Sequence, residues 1–586
     1  MKRPLALLAL LALASLASAA CGSDDEPAPA ASGGSGGSAA GSSGEAGAGG
    51  SDAGAGGSDA GSGGSAAGTG GDAGAGGAGP SPLCEELGLP SRAFDGGAPG
   101  KLRGQLAGDF TLPLLDGSAW TFSSSFPGCS SYIFLPDALV VSQQDPTSLW
   151  TADLPELIKR SPRTVHYFFV SRSSSAETAA TRLQEMSARI DTALAALEPG
   201  LAAHWKAHLH VVGKRAAELE GWVGEVLQGH GAGGFAIDRR QRVRGIGSLA
   251  DVTRFDNALQ QASLWPWKGN LAYAAHEAAY FDAQAKLQET LDGEEVTQIP
   301  VFNGEILEQF AEQDIELPSA EVMATFDTLQ IEIESMCPDP QKGEFGNCGA
   351  WDYLAILGID AGEGKFTEIA RFITSYHRET RWVVDASPML ALMKQGGKRR
   401  LRWDFAPEWN KQPTATRMVL RLSNRGKEAR PAEATFLFSG GSFDTTYNDR
   451  DPVVVPIPAD AKKVEIYAIL TGHGSDAFQC AEFCAHQHEF QVNGKSFSRK
   501  FKEAGSQEGC IPQVSNGMVP NQGGTWWFGR GGWCPGQQVE PWILDVTAQV
   551  TPGQDATLTY QGTYGGGTPF QKMGDIQLSS YLVVSR

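Results

Sequence analysis

The sequence predicts a multidomain chain: one α/β domain followed by two all-β antiparallel sandwiches. Three observations point there. At 586 residues the chain is too long for one domain and suits about two to four. From Cys84 to Leu291, strand-like apolar runs alternate with segments of helical spacing. Beyond Leu291 the pattern turns to short strands separated by Gly, Pro and Asn turns as far as Arg586. A hydrophobic content of 41% is ordinary and sufficient for folded cores. The formal net charge of -20, with no clustering of Lys or Arg, excludes nucleic acid as a partner, because phosphate neutralisation needs a basic surface. The acidity reads as solubility.

The first element is a targeting segment. Lys2 and Arg3 precede an apolar run from Leu5 to Leu16, and small residues follow up to Cys21. Such a run is a secretory signal, too short to span a bilayer. Small residues ending at a cysteine resemble the lipobox of bacterial lipoproteins, with Cys21 as the lipidated residue. Ser18 stands where such motifs carry Leu or Val, and cleavage after Ala19 is the alternative. The chain has nine cysteines, and setting Cys21 aside leaves eight: Cys84, Cys129, Cys337, Cys348, Cys480, Cys484, Cys510 and Cys534. An even set in an exported chain predicts four bridges. The expected location is extracytoplasmic, lipid-anchored to a bacterial outer membrane or cell surface, or secreted if Cys21 carries no lipid. A monomer is expected.

Residues 22–83 form a linker of Gly, Ala, Ser and Asp that cannot bury apolar surface. For about 60 such residues the r.m.s. span is roughly 45 Å. Globular composition begins at Cys84. Asp109–Gly117 reads as strand, turn, strand; Tyr132–Leu135 and Val165–Val170 read as apolar strands; Ala176–Leu197 has helical spacing; Phe235–Arg244 reads as a hairpin. Over Gly104–Ala262 this order resembles the thioredoxin-like fold of peroxiredoxins. The Cys-x-x-Cys of redox members is missing, since Pro136 and Asp137 follow the first central strand. Without an attacking thiolate this domain, spanning 84–265, is expected to be a scaffold or binding module.

Asn270–Leu291 reads as a connecting helix, assigned to 266–291. Strands are expected at Gln330–Ile333, Glu368–Thr374, Met418–Leu422, Val453–Ile457, Val464–Leu470 and Ser579–Val584. The polar stretch Arg425–Ala432 divides a first sandwich, 292–428, from a second, 429–586.

Two carboxylates in this half sit in cysteine frames: Cys348-Gly349-Ala350-Trp351-Asp352 and Cys480-Ala481-Glu482-Phe483-Cys484. A third frame is Arg530-Gly531-Gly532-Trp533-Cys534-Pro535-Gly536. Acids on braced loops suit a rigid acid/base site. Together with Cys337-Pro338, Ile369-Ala370-Arg371-Phe372-Ile373-Thr374 and Gly472-His473-Gly474, these stretches make Val301–Arg586 resemble the peptide-N-glycosidase F family. The resemblance implies two adjoining eight-stranded jelly rolls and an amidase that removes N-linked glycans from asparagine, without cofactor or metal. It also implies Cys337–Cys348, Cys480–Cys484 and Cys510–Cys534 bridges, leaving Cys84 for Cys129.

By the same resemblance Asp352 is the base-like acid, Glu482 organises substrate and water, and Arg530 holds substrate oxygens or the acids themselves. A third acid falls to Glu408, with Asp404 as fallback. Trp351, Trp409, Trp533 and His473 are the expected sugar contacts. Gly349, Ala350 and Tyr353 depart from the charged residues found there in the family's best-known member, which bears on glycan specificity. Two other readings fit the residues. One is a jelly-roll lipoprotein that binds glycan without cleaving it. The other is a copper monooxygenase using His486, His488 and His473, since His486-Gln487-His488 puts two imidazoles on one strand face.

Overall fold

The computed structural model describes residues 81–137, 150, 154–229, 234–247, 275–474 and 480–586. The signal segment, Cys21 and the linker up to residue 80 lie outside the described residues.

The N-terminal part opens with a hairpin of β1 (Thr111–Pro113) and β2 (Ala119–Thr121). The expected strand-turn-strand is therefore displaced: Asp116 Oδ1 accepts from the Ser118 N–H, which fixes the turn, and the second strand starts beyond Gly117. A five-stranded sheet follows, built from β3 (Ser131–Pro136), β4 (Val165–Val170), β5 (Leu209–Val211), β6 (Phe235–Ile237) and β7 (Val243–Arg244). Its order is β5-β4-β3-β6-β7, with β3, β4 and β5 parallel and β6 and β7 antiparallel. β3 and β4 are buried along their whole length because both faces are covered. Ile133, Leu135, Tyr167 and Phe169 face one core; Tyr132, Phe134, Phe168 and Val170 face another. Cys84 and Cys129 are bonded. At the end of β3, buried Asp137 pairs with Arg182 at 2.9 Å and accepts from the Ser171 hydroxyl.

The helix His276–Asp292 is more than a connector. Ala278, Tyr280 and Phe281 enter the core beneath β3 and β4, and that core also takes in Met518, Val519, Trp526, Trp527 and Phe528 from far along the chain. Neighbours on several sides explain why no single apolar stripe marks this helix in the sequence.

The remaining strands form two sandwiches. The first uses β8 (Thr297–Leu307), β9 (Phe310–Ser319), β10 (Thr328–Met336), β11 (Leu354–Gly362), β12 (Lys365–Ile373), β13 (Thr380–Asp385), β14 (Gly396–Asp404) and β15 (Thr414–Ser423). Its sheets are β13-β10-β15-β8 and β12-β11-β14-β9, around one core. The second uses β16 (Pro431–Ser442), β17 (Val453–Pro456), β18 (Lys463–His473), β19 (Gln487–Val492), β20 (Lys495–Lys500), β21 (Trp542–Asp545), β22 (Asp555–Thr563) and β23 (Asp575–Ser585). Its sheets are β16-β23-β18-β21 and β17-β22-β19-β20. All pairings are antiparallel, and the strand order is jelly-roll-like in both.

β18 explains how the sandwiches are joined. It is buried from Val464 to its end. Ile466, Ala468 and Leu470 point into the second sandwich, while Tyr467 and Ile469 join the core of the first. Arg371 of β12 reinforces the junction by donating to Thr471 Oγ1 and to the Gln577 carbonyl.

Candidate active site

Asp352 lies just before β11, after the loop closed by the Cys337–Cys348 bond. The Thr374 hydroxyl accepts from the Tyr353 N–H at 2.8 Å and donates to the Trp351 carbonyl at 2.6 Å, so the backbone is pinned on both sides of Asp352. Glu482 lies in the one-turn helix Cys480–Phe483, whose ends are joined by the Cys480–Cys484 bond. This helix sits against the bridged pair Gly472 and Gly531. A Cβ on Gly472 would meet the Ala481 carbonyl oxygen at 1.9 Å, and one on Gly531 would meet it at 2.3 Å. Only glycine permits this approach. The Gly474 N–H donates to Glu482 Oε2 at 3.1 Å.

Arg530 joins the two acids. Its Nε is 2.8 Å from Glu482 Oε1 and its Nη2 is 3.6 Å from Asp352 Oδ2. The guanidinium also donates to the Phe528 and Thr525 carbonyls and lies 4.7 Å from the Phe483 ring centre and 5.0 Å from that of Trp533. The cluster is enclosed: Asp352 is 3% exposed, Glu482 1% and Arg530 3%. Burial pushes the Asp352 carboxyl up to about 6, against the opposing pull of the Arg530 charge and a hydrogen bond from the Tyr376 hydroxyl. An acid poised there accepts a proton near neutrality, as a general base must.

Trp533 donates to the Gly472 carbonyl at 2.8 Å and stacks on His473 with ring centres 5.0 Å apart. Burial lowers His473 to about 3, helped by Arg371 and Arg530, so its ring is neutral and hydrogen-bonds Thr471. Trp351 is half-buried beside a small cavity shared with Cys348, Gly349 and Gln412. Trp409 is 67% exposed and meets Tyr353 edge-on at 6.1 Å, while Asn410 donates to the Tyr353 hydroxyl. That turn also carries Glu408, which is exposed, while the nearby Lys411 is paired with Glu308 at 2.6 Å. Asp404 is gripped by Arg402 through two contacts at 2.7 and 3.0 Å. The structure thus brings Asp352, Glu482, Arg530, Trp533 and His473 together, while Asp404 is held by Arg402 and Glu408 stands exposed in the Trp409 turn.

The imidazoles of His486 and His488 form a buried chain. The Ala481 carbonyl only accepts, so His486 Nε2 carries the proton given to it at 2.6 Å. His486 Nδ1 then accepts from His488 Nε2 at 2.7 Å, and His488 Nδ1 accepts from the Tyr560 hydroxyl at 2.6 Å. All four ring nitrogens are committed to positioning the Glu482 helix, which leaves no lone pair of this pair directed at a metal.

Tyr376 is the site residue that the sequence reading missed. It is buried, and its hydroxyl touches both Asp352 and Thr525. It lies two residues beyond the Ile369–Thr374 stretch, where the strand gives way to a polar turn, and no spacing in the sequence ties it to Asp352.

Fold and site together define a disulfide-braced pair of sandwiches with an acid–arginine–acid centre at their junction. Residues 442–583 match the family described as peptide-N-glycosidase F, C terminal. Over 313 residues the chain is 23% identical to the peptide-N(4)-(N-acetyl-beta-D-glucosaminyl)asparagine amidase F of Elizabethkingia miricola, a match covering 48% of this chain and 79% of that protein. It is also similar to the solved structure of PNGase F, a glycosylasparaginase from Flavobacterium meningosepticum, at 18% identity and a TM-score of 0.39, covering 50% of this chain and 96% of that one. A structure of PNGF-II is similar at 15% identity and a TM-score of 0.37, covering 51% and 68%. No helix among the described residues is long and apolar enough to cross a membrane.

Proposed function

We propose that the protein is a peptide-N-glycosidase, hydrolysing the amide between asparagine and N-acetylglucosamine of N-linked glycoproteins or glycopeptides. The observation that carries this reading is the meeting of Asp352 and Glu482, from different sandwiches, across one arginine. In the proposed step the Asp352 carboxylate takes a proton from water as the water oxygen bonds to the asparagine side-chain carbon. Arg530 faces the negative charge that develops on the carbonyl oxygen. The proton held by Asp352 passes to the leaving nitrogen as the C–N bond breaks. Glycosylamine departs and aspartate remains in the peptide. Water and one proton shuttle balance the reaction, so no cofactor is needed. Glu482 holds Arg530 by its Nε and fixes its direction.

Incubation with a denatured glycoprotein tests this: released glycan, with the mass shift of asparagine-to-aspartate conversion at each site, is expected. Folded protein that releases no glycan of any N-linked class would sink the reading. The enclosure of the three groups favours a second reading, in which they clamp the sandwiches together in a glycan-binding protein. Under that reading Asp352→Asn leaves glycan-array binding unchanged and no turnover exists to lose.

The strand order and direction of the N-terminal sheet support reading residues 84–265 as a thioredoxin-like scaffold, with Asp137 and Arg182 where redox members hold a thiol. Four disulfides among the described residues support an oxidising, extracytoplasmic location. Lipid anchoring through Cys21 and a monomeric state belong to the same proposal.

A further inference from the structure

A cleft of about 390 Å³ lies between the N-terminal sheet, the helix His276–Asp292 and the first sandwich. Six arginines line it against four carboxylates, in a chain whose net charge is -20. The acceptors are already used. Asp238 Oδ1 takes the backbone N–H groups of Arg240 and Arg242, and its Oδ2 faces Arg244. Glu344 is taken by Arg378, and Glu379 by Arg103. The donors are not exhausted. Arg240 Nη2 reaches Asp292 at 3.0 Å, yet its Nη1 is buried without a hydrogen-bond partner. Arg103 Nε is likewise buried without one, and so is Nε2 of Gln284, a residue only 5% exposed. The Arg242 side chain stands exposed at the rim, with no ion pair to a described residue.

Spare donors beside spent acceptors define a site for an acceptor-rich ligand, since a buried donor left unpaired costs free energy that such a ligand restores. Interdomain clefts of this volume suit a sugar-sized molecule. We propose that this cleft binds an anionic sugar, one bearing a carboxylate or a phosphate, and so captures acidic glycan branches at a place other than Asp352. The inference rests on reading glycans as the substrate class.

The test is calorimetric titration of the full chain with N-acetylneuraminic acid, mannose 6-phosphate, neutral mannose and inorganic phosphate. One or both acidic sugars should bind and mannose should not; which acid binds identifies the anion. The double variant Arg240→Gln/Arg242→Gln should weaken binding at least about tenfold, the loss equivalent to one charge-assisted hydrogen bond. Arg242→Gln alone, at the solvent-facing rim, leaves the fold intact and should weaken it by a smaller factor. The proposal is overturned if neither acidic sugar binds, if mannose or inorganic phosphate binds as tightly, or if the arginine variants change nothing. Binding is read without turnover. Capture of acidic sugar with no glycan release therefore counts against the proposed hydrolysis, and release without capture counts against this site.

Discussion

Replacing Asp352 by asparagine should stabilise the protein above neutral pH while abolishing its activity. Burial raises the Asp352 carboxyl from 3.8 to about 6, even with Arg530 and Tyr376 pulling the other way. A carboxyl raised on folding is most favourable to the fold when protonated. Its contribution is complete below the unfolded value near 3.8 and is lost as pH rises through 6. A shift of about 2 units corresponds to about 3 kcal/mol, the penalty of holding that charge buried at pH 8. Asparagine matches the neutral acid in shape and carries no charge, so the penalty disappears. Arg530 is not stranded by the change, because Glu482 still holds its Nε at 2.8 Å. Denaturant unfolding of parent and variant at pH 8 and pH 3.5, with the disulfides kept intact, checks the sign: the variant gains at pH 8 and matches its parent at pH 3.5. A variant equally or less stable at pH 8 would refute the account of Asp352 as a charge held against burial. Glycan release by the parent should fall on the acid side with a midpoint near 6.

Glu482→Gln should behave oppositely, losing about 3–5 kcal/mol at neutral pH because it strips Arg530 of its nearest carboxylate, with glycan release down by about 10² or more; thermal melts and single-turnover assays read the two effects. Gly472→Ala drives a Cβ to 1.9 Å from the Ala481 carbonyl, so the Glu482 helix must shift, at a cost of about 1–3 kcal/mol and a fall in turnover without loss of either acid. Arg378→Met leaves Glu277 and Glu344 buried without their cation and should cost about 3–5 kcal/mol. Burial raises the Glu344 carboxyl, but Arg378 and Arg103 hold it below its ordinary value, so the loss measured by calorimetry should shrink as pH falls through the glutamate range.

The parts of this fold most legible in the sequence are those where pattern and burial coincide. The apolar runs within 131–136 and 464–470 announce strands because both faces of each are buried. The cysteine frames mark the two acids that the structure brings together, and Gly472 is needed by its close approach to the Glu482 helix. Tyr376 was not legible, because its partner Asp352 is brought to it by the fold and not by spacing. Glu408 is suggested by its neighbourhood to Trp409; the structure shows it exposed in that turn, a setting the sequence alone does not distinguish from a cleft. The helix 276–292 hid its role for a related reason: covered on several sides, it shows no stripe.

A single strand with one foot in each core has a mechanical consequence. Because β18 contributes alternate residues to both sandwiches and ends at Gly472-His473, neither sandwich can swing like a jaw without tearing Tyr467 and Ile469 from the first core. Cutting the chain near residue 428 should therefore yield two sticky fragments, each baring apolar surface, and not two portable modules. The same interlocking reaches Arg530: it donates to the Thr525 and Phe528 carbonyls, and Trp526, Trp527 and Phe528 of that segment are rooted in the core shared with the N-terminal sheet. A change in the N-terminal core is therefore carried to Arg530 through one short segment of chain.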